Sequence, residues 1–213
     1  MSRIVIFGAG GRVGRAAVAE AVRRGHAVTA VVRDPAKYPE LEGSSGVMLV
    51  RGDATDADAV ARVAAGHDAA INASVRLDVP SESYFNAAAR ALTAGLRRAG
   101  VGRLLVLGIA TTLETAPGVR VMDDPQFPEQ YRTFSQGHVA EFDLLTAEAG
   151  ALDWLMVVPP MDLAADAPTT GQYVTAVGTV TGTGRISHAD LALALLDEID
   201  TPKHHAVQLA VSH

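Results

Sequence analysis

Residues 3–14 read as strand, glycine-rich turn and helix start in immediate succession. Arg3-Ile4-Val5-Ile6-Phe7 is a short apolar run rich in β-branched residues. Gly8-Ala9-Gly10-Gly11-Arg12-Val13-Gly14 follows, and Arg15 to Arg24 carries a helical pattern. That order is the context a dinucleotide-binding turn requires. Gly8 permits the sharp turn at the strand end. Gly10 and Gly11 remove side chains where a pyrophosphate approaches the main chain, and Gly14 lets the helix pack closely on the strand. The N–H groups of the first helical turn, with the helix dipole, then face the phosphates. With glycine required at 8 and 10, the third place of the pattern falls on Val13; a wider spacing fits Gly8, Gly11 and Gly14. The competing reading is an ordinary tight strand–helix turn.

The rest of the chain continues the alternation. Ala27–Val32 is a second strand, ending at Arg33-Asp34-Pro35, and Gly46–Val50 a third, followed by Arg51-Gly52-Asp53-Ala54. A helix over Asp56–Ala65 leads to a short strand, Ala69–Ile71, and to Asn72-Ala73-Ser74. Ser81 or Ser83 opens a long helix to Ala99 with Phe85, Ala88, Ala89, Leu92 and Leu96 on one stripe, and Arg103–Leu107 is a fifth strand. Alternation of this kind implies an α/β fold: one doubly wound parallel sheet of Rossmann type, strand order 3-2-1-4-5, with further strands toward the C-terminus. A ligand then sits where the order reverses, between strands one and four. From Gly108 to Gln136 the patterns lapse, and Pro117, Pro125 and Pro128 punctuate a long loop of the kind that is often functional. His138–Ala149 reads as a helix, Asp153–Val158 as a strand closed by Pro159-Pro160, and Met161–Arg185 as irregular with two short strands. Ser187 caps a last helix to Ile199, and Ala206–Val211 is the final strand.

At 213 residues the chain is expected to form a single domain, residues 1–213. No apolar run nears the roughly 18 residues that span a bilayer. The first strand starts too early for a signal peptide. Zero cysteines exclude disulfides, thiolate metal sites and a cysteine nucleophile. These features together point to a cytoplasmic protein that binds no membrane and no metal. A net charge of −6 argues against a nucleic-acid partner. A monomer or a homodimer is expected.

Several residues fall where chemistry would need them. Arg33, at the end of strand two, occupies the place where an acidic residue would hold ribose hydroxyls. A guanidinium there instead suits a 2′-phosphate, and Arg12 inside the glycine turn could clamp the same group. NADP(H) is therefore expected in preference to NAD(H), which remains possible. Asp53 suits the adenine amino group, with a helix N-cap as its competing job; Ala54 follows it. Ala73 and Ser74 lie across the switch point, small enough for a ribose to rest on. Thr111 follows strand five, His138 is expected to open the next helix, and Pro159 starts a rigid shelf that a cis bond could shape. His204 and His205 read as surface residues. Short-chain dehydrogenases commonly pair a Tyr with a Lys four residues on. The tyrosines at 38, 84, 131 and 173 have Glu42, Ala88, Ser135 and Val177 at that distance, so the pair is absent.

The segments GAGGRVG, VVRDP, GDATD, TLETAPGVRVMDDPQFPEQY and the run from LDW through VVPP to RISHADLALALLDEID resemble a known family. They are similar to NAD(P)H-binding proteins of the NADH-flavin reductase type, small atypical short-chain dehydrogenase/reductases close to the NmrA-like group. More distantly the chain resembles the mammalian flavin reductase that also reduces biliverdin IXβ. The resemblance implies one Rossmann domain and hydride transfer from NAD(P)H to a flavin-like or quinone-like acceptor. Thr111 and His138 match a Ser and a His of the flavin/biliverdin reductase, while Met161 stands where that enzyme has a second His. The acceptor is expected between segments 112–135 and 161–176. The alternative is a non-catalytic NmrA-like redox sensor; an epimerase or dehydratase is a weaker third reading.

Overall fold

The computed structural model describes residues 1–164 and 167–213. Its centre is an eight-stranded sheet in the order β10-β12-β8-β5-β4-β1-β2-β3. The strands are β1 (Arg3–Phe7), β2 (Ala27–Val32), β3 (Val47–Arg51), β4 (Ala69–Asn72), β5 (Arg103–Leu107), β8 (Asp153–Val158), β10 (Val174–Val177) and β12 (Gln208–Ser212). Seven run parallel; β10 pairs antiparallel with β12 at the edge. The fold is thus of Rossmann type, with the expected order 3-2-1-4-5 and further C-terminal strands beyond β5.

Helices cover both faces because the central strands are apolar on both. In β1, Ile4 and Ile6 point to one face, Val5 and Phe7 to the other, as the two-residue period dictates. Helices α1 (Arg12–Arg23) and α5 (His188–Asp200) close the Ile4/Ile6 face, where Ala17, Leu191 and Leu195 are buried. Helices α2 (Ala57–Ala64), α3 (Ser81–Ala99) and α4 (Glu129–Glu148) close the other, around Leu92, Leu96, Leu145 and Trp154.

Two expectations need correction. Helix α4 begins nine residues earlier than the sequence pattern indicates, at Glu129 after Pro128, so His138 lies in its interior and does not open it. Its first turns are polar, which hides them from a hydrophobic-period reading. Gly137, which reads as a helix breaker, is a contact point: a Cβ there would lie 2.7 Å from Ser81 Cβ, so α3 and α4 touch through it. The long loop is also less irregular than expected. It holds a one-turn helix (Ala110–Thr112) and a small hairpin, β6 (Glu114–Ala116) with β7 (Val119–Arg120). The irregular stretch 161–185 contains β9 (Asp162–Ala164), paired with β11 (Arg185–Ser187), and β10; residues 165–166 fall outside those described. All peptide bonds described are trans, Pro159 and Pro160 included. Among the described residues no helix is long and apolar enough to cross a membrane.

The C-terminal segments are tied together by one carboxylate. Asp190 is fully buried. Its oxygens accept hydrogen bonds from the Ser187 hydroxyl (2.8 Å), the amides of Thr170 (2.9 Å) and Gly171 (2.8 Å), and His213 Nε2 (2.8 Å). Burial alone would push this carboxyl up, but the converging donors hold it below the usual range. Stability from Asp190 is therefore present above the unfolded carboxylate range and lost as pH falls through the lowered folded value. Asp190→Ala is expected to cost about 3 kcal/mol in urea denaturation at neutral pH, shrinking toward acid. A change under about 0.5 kcal/mol would contradict the tie.

Candidate functional site

The turn after β1 is shaped by close backbone approach. Gly8 has φ +73°, and a Cβ on it would lie 2.6 Å from Ala73 and from the Ser74 nitrogen, on the loop after β4. A Cβ on Gly14 would run into the Gly8 carbonyl oxygen, so α1 can start only directly against the turn. Gly11 takes the N-cap position with no side-chain cap, and the first turn of α1 has no acidic residue. Arg15 donates the first helical bond, to the Gly11 carbonyl at 2.9 Å, which leaves the amides of Arg12, Val13 and Gly14 unpaired among the described residues. Three unpaired amides at the positive end of a helix form an anion site. Arg12 is thus the first helical residue, not part of the turn.

A cleft opens beside this turn at the β1/β4 switch point. Gly8, Gly10, Gly11, Arg33, Asp53, Ala54, Ala73 and Ser74 line it, eight of the residues singled out from sequence. Arg33 is exposed and makes no ion pair with a described residue, though its charge acts on Asp78; the neighbouring Asp34 faces Lys37 at 3.9 Å. Asp53 does not cap α2. That job belongs to Asp56, whose carboxylate accepts from the amides of Asp58 (2.9 Å) and Ala59 (3.1 Å). One Asp53 oxygen accepts from the Thr55 amide and hydroxyl, at 2.9 and 2.7 Å, and the other takes no hydrogen bond from a described residue. Ser74 accepts from the Tyr84 hydroxyl at 2.8 Å and donates to Asn72. Burial pushes the Tyr84 phenol up, so it stays protonated as a donor.

Three cleft residues escaped the sequence reading. Arg76 lies in the wall, paired with Asp78 in its own loop. Tyr84 sits on α3, where only the Phe85 stripe had been legible. Tyr38 fills the space a Gly10 side chain would take, with the Arg15 guanidinium 5.5 Å from its ring centre. The lack of a side chain at Gly10 thus accommodates Tyr38. An aromatic and a guanidinium within loops that follow strands two and four were the available signals.

The remaining singled-out residues lie elsewhere. Arg12, Val13 and Gly14 follow Gly11 directly but do not line the cleft, and the Arg12 charge acts on His188 at the start of α5, helping burial to push that imidazole down. Thr111 is 3% exposed, and its hydroxyl has no partner among the described residues. Pro159 is buried at the end of β8. His138 is 4% exposed, sandwiched between Phe85 and Phe134, with Nδ1 3.1 Å from the carboxylate of Glu141, which burial pushes up. It lines neither the cleft nor the small apolar pocket next to it. That pocket, about 130 Å³, lies between Ala110, Leu113, Val121, Pro160, Met161 and Val180. Leu113 and Val121 come from the expected 112–135 segment and Met161 from the expected 161–176 segment, while Val180, Thr181 and Gly184 add a wall beyond it. His205 is exposed as expected, whereas half-buried His204 holds the buried Glu198 at 2.7 Å.

Comparison with known proteins agrees with this geometry. A family described as NAD(P)H-binding matches residues 8–202. The protein YwnB of Bacillus subtilis, itself uncharacterised, is 32% identical over 209 residues, covering 95% of this chain and 94% of YwnB. A candidate exported protein of Burkholderia pseudomallei superposes with a TM-score of 0.87 at 33% identity, covering 100% of both chains. SP1627 of Streptococcus pneumoniae, a candidate NADH-flavin reductase, gives 0.84 at 29% identity, again over 100% of both.

Gly11→Asp tests the anion site; a Cβ there stands 3.3 Å from the Gly8 carbonyl oxygen, so the turn must give by a few tenths of an ångström and the fold is checked in the same experiment. The variant should keep its circular dichroism and lose NADPH affinity by about 100-fold or more in calorimetry, through like-charge repulsion. Unchanged affinity would place the phosphates elsewhere.

Proposed function

The chain belongs to the NAD(P)H-binding family, and from that premise we propose that it is an NAD(P)H-dependent oxidoreductase that passes a hydride to a conjugated acceptor of flavin or quinone type. The observation that carries the reading is the set of three amides at the start of α1, unpaired among the described residues and next in the chain to Gly10 and Gly11 of the switch-point cleft. These residues fit a dinucleotide. The amides of Arg12, Val13 and Gly14, with the bare backbone of Gly8 and Gly11, hold the pyrophosphate. Arg33 meets a 2′-phosphate, since its guanidinium makes no ion pair with a described residue, and NADP(H) is preferred over NAD(H) on that ground. The free oxygen of Asp53 accepts from the adenine amino group, and Arg76, on the wall of the same cleft, flanks the adenosine. Ala73 and Ser74 support a ribose, with Tyr84 fixing the Ser74 hydroxyl. Pro159 shapes the nicotinamide end, and the Thr111 hydroxyl, buried without a partner, is the donor available to a carboxamide there.

When bound, the nicotinamide supplies the hydride. The chain's own part is to position and to exclude water. The apolar pocket beside Ala110 and Pro160 takes the acceptor's ring system, and the name carried by SP1627 supports a flavin as that acceptor. Among the described residues no ionisable side chain lines this pocket, so the acceptor's proton comes from water, and His138 acts in the α3/α4 packing. The same lack of ionisable groups favours a second reading, a redox sensor that binds NAD(P)(H) without turnover. Loss of NADPH absorbance in the presence of FMN, FAD, menadione or dichlorophenolindophenol, measured against Gly11→Asp, separates the two. Turnover with any acceptor supports the enzyme; binding with none supports the sensor.

Two substitutions refine the assignment. Arg33→Glu should weaken NADPH by about 30-fold or more and NADH by less than about threefold; equal losses would remove the phosphate role. Thr111→Val keeps the side-chain shape and removes an unpaired buried hydroxyl. It should raise stability by about 1 kcal/mol while slowing turnover about tenfold. A stabilised variant with full activity would show that the hydroxyl serves no ligand.

A further inference from the structure

A second cavity, about 300 Å³, lies on the α4 face of the sheet, between α4, the β6–β7 hairpin and the start of β12. It shares no lining residue with the dinucleotide cleft or with the apolar pocket. Its body is apolar, with Val139 and Phe142 of α4 on one side and Val207 on the other. Its size falls at the lower end of small-molecule sites.

Gln208 carries the argument. It is 8% exposed and lines the cavity. Its Nε2 donates to Thr112 Oγ1 at 2.9 Å. The Thr112 hydroxyl spends its own proton on the Ile109 carbonyl, at 2.9 Å, so toward Gln208 it can only accept. The carboxamide is thereby fixed with its nitrogen toward Thr112. Its oxygen takes no hydrogen bond from any described residue and is not sealed in the protein, which leaves it facing the cavity. A mostly buried acceptor without a donor is a costly feature unless something supplies one.

The surroundings point the same way. Ala206, in the same wall, is the one described non-glycine residue with positive φ, at 53°, held there by its amide bond to the Trp154 carbonyl at 2.7 Å. Strain of this kind clusters where a fold holds a ligand site. Arg120 and its cross-strand neighbour Glu114 both line the cavity; the Arg120 amide donates to Asp123, at 2.8 Å, and its guanidinium makes no ion pair with a described residue.

We propose that this cavity is a second small-molecule site, for a small carboxylic acid with an apolar body and a hydrogen-bond donor at its far end. The carboxylate meets Arg120, the body lies against Val139, Phe142 and Val207, and the donor meets Gln208 Oε1. Occupancy is independent of the dinucleotide, because the two sites share no residue.

The test uses 4-hydroxybenzoate as probe, with 4-methylbenzoate lacking the donor and 4-hydroxybenzyl alcohol lacking the carboxylate. Calorimetry is run on the full chain with and without saturating NADPH. The expected result is one molecule of 4-hydroxybenzoate per chain, with equal affinity in both conditions, and at least about tenfold weaker binding of each comparison compound. Arg120→Gln, at the rim, should weaken the probe about tenfold or more. Val139→Trp, which fills the cavity, should abolish binding while NADPH affinity stays unchanged. No binding at millimolar probe, binding that survives both substitutions, or displacement of the probe by NADPH would each overturn the proposal. NADPH affinity is read in the same experiment, so a failure of the dinucleotide assignment shows separately.

Discussion

The contact on which the rest depends is the one between α1 and the end of β1. Gly14 lies so close to the Gly8 carbonyl that no side chain fits between them, and Gly8 in turn lies against Ala73 and Ser74. Strand, helix and the loop after β4 are locked within one small volume. The helix must then begin where its first amides have no protein partner. An anion site is the direct result of that packing, since the same glycines that allow the approach also leave the donors bare. Order reversal at β1 and β4 places a crevice at the same point, and Arg33 and Asp53 arrive there because β2 and β3 end at the same level of the sheet.

The sheet was readable because its strands are apolar on both faces and bounded by glycine, asparagine and aspartate. The order 3-2-1-4-5 followed from alternation and handedness alone. The eight residues found in the cleft were readable for the same reason: each stands just after a strand. Helix α4 was not readable at its start, where QYRTFSQG offers no apolar stripe and a mid-helix glycine imitates a stop. That error displaced His138 from a helix opening to a buried position behind Phe85 and Phe134. Tyr38 and Arg76 were missed because their roles come from loops folding back over the crevice, and Tyr84 because it reaches the crevice from α3, contacts that no local pattern encodes.

The structure also separates two kinds of polar residue that look alike in sequence. Asp190, Glu198 and Glu141 are buried and answered by donors, and serve the fold. Thr111 and Gln208 are buried with an atom that no described residue answers, and Gln208 stands beside a cavity. Unsatisfied groups of this second kind, together with the bare amides of α1, mark where this chain expects something that is not protein.

The most direct measurement is an amide-resolved NMR titration of uniformly 15N-labelled protein with NADP+. The account predicts that the largest shifts fall on Arg12, Val13 and Gly14, with further shifts at Gly8, Arg33 and Asp53. Shifts centred on other segments while these amides stay still, or no shift at all at saturating NADP+, would contradict it.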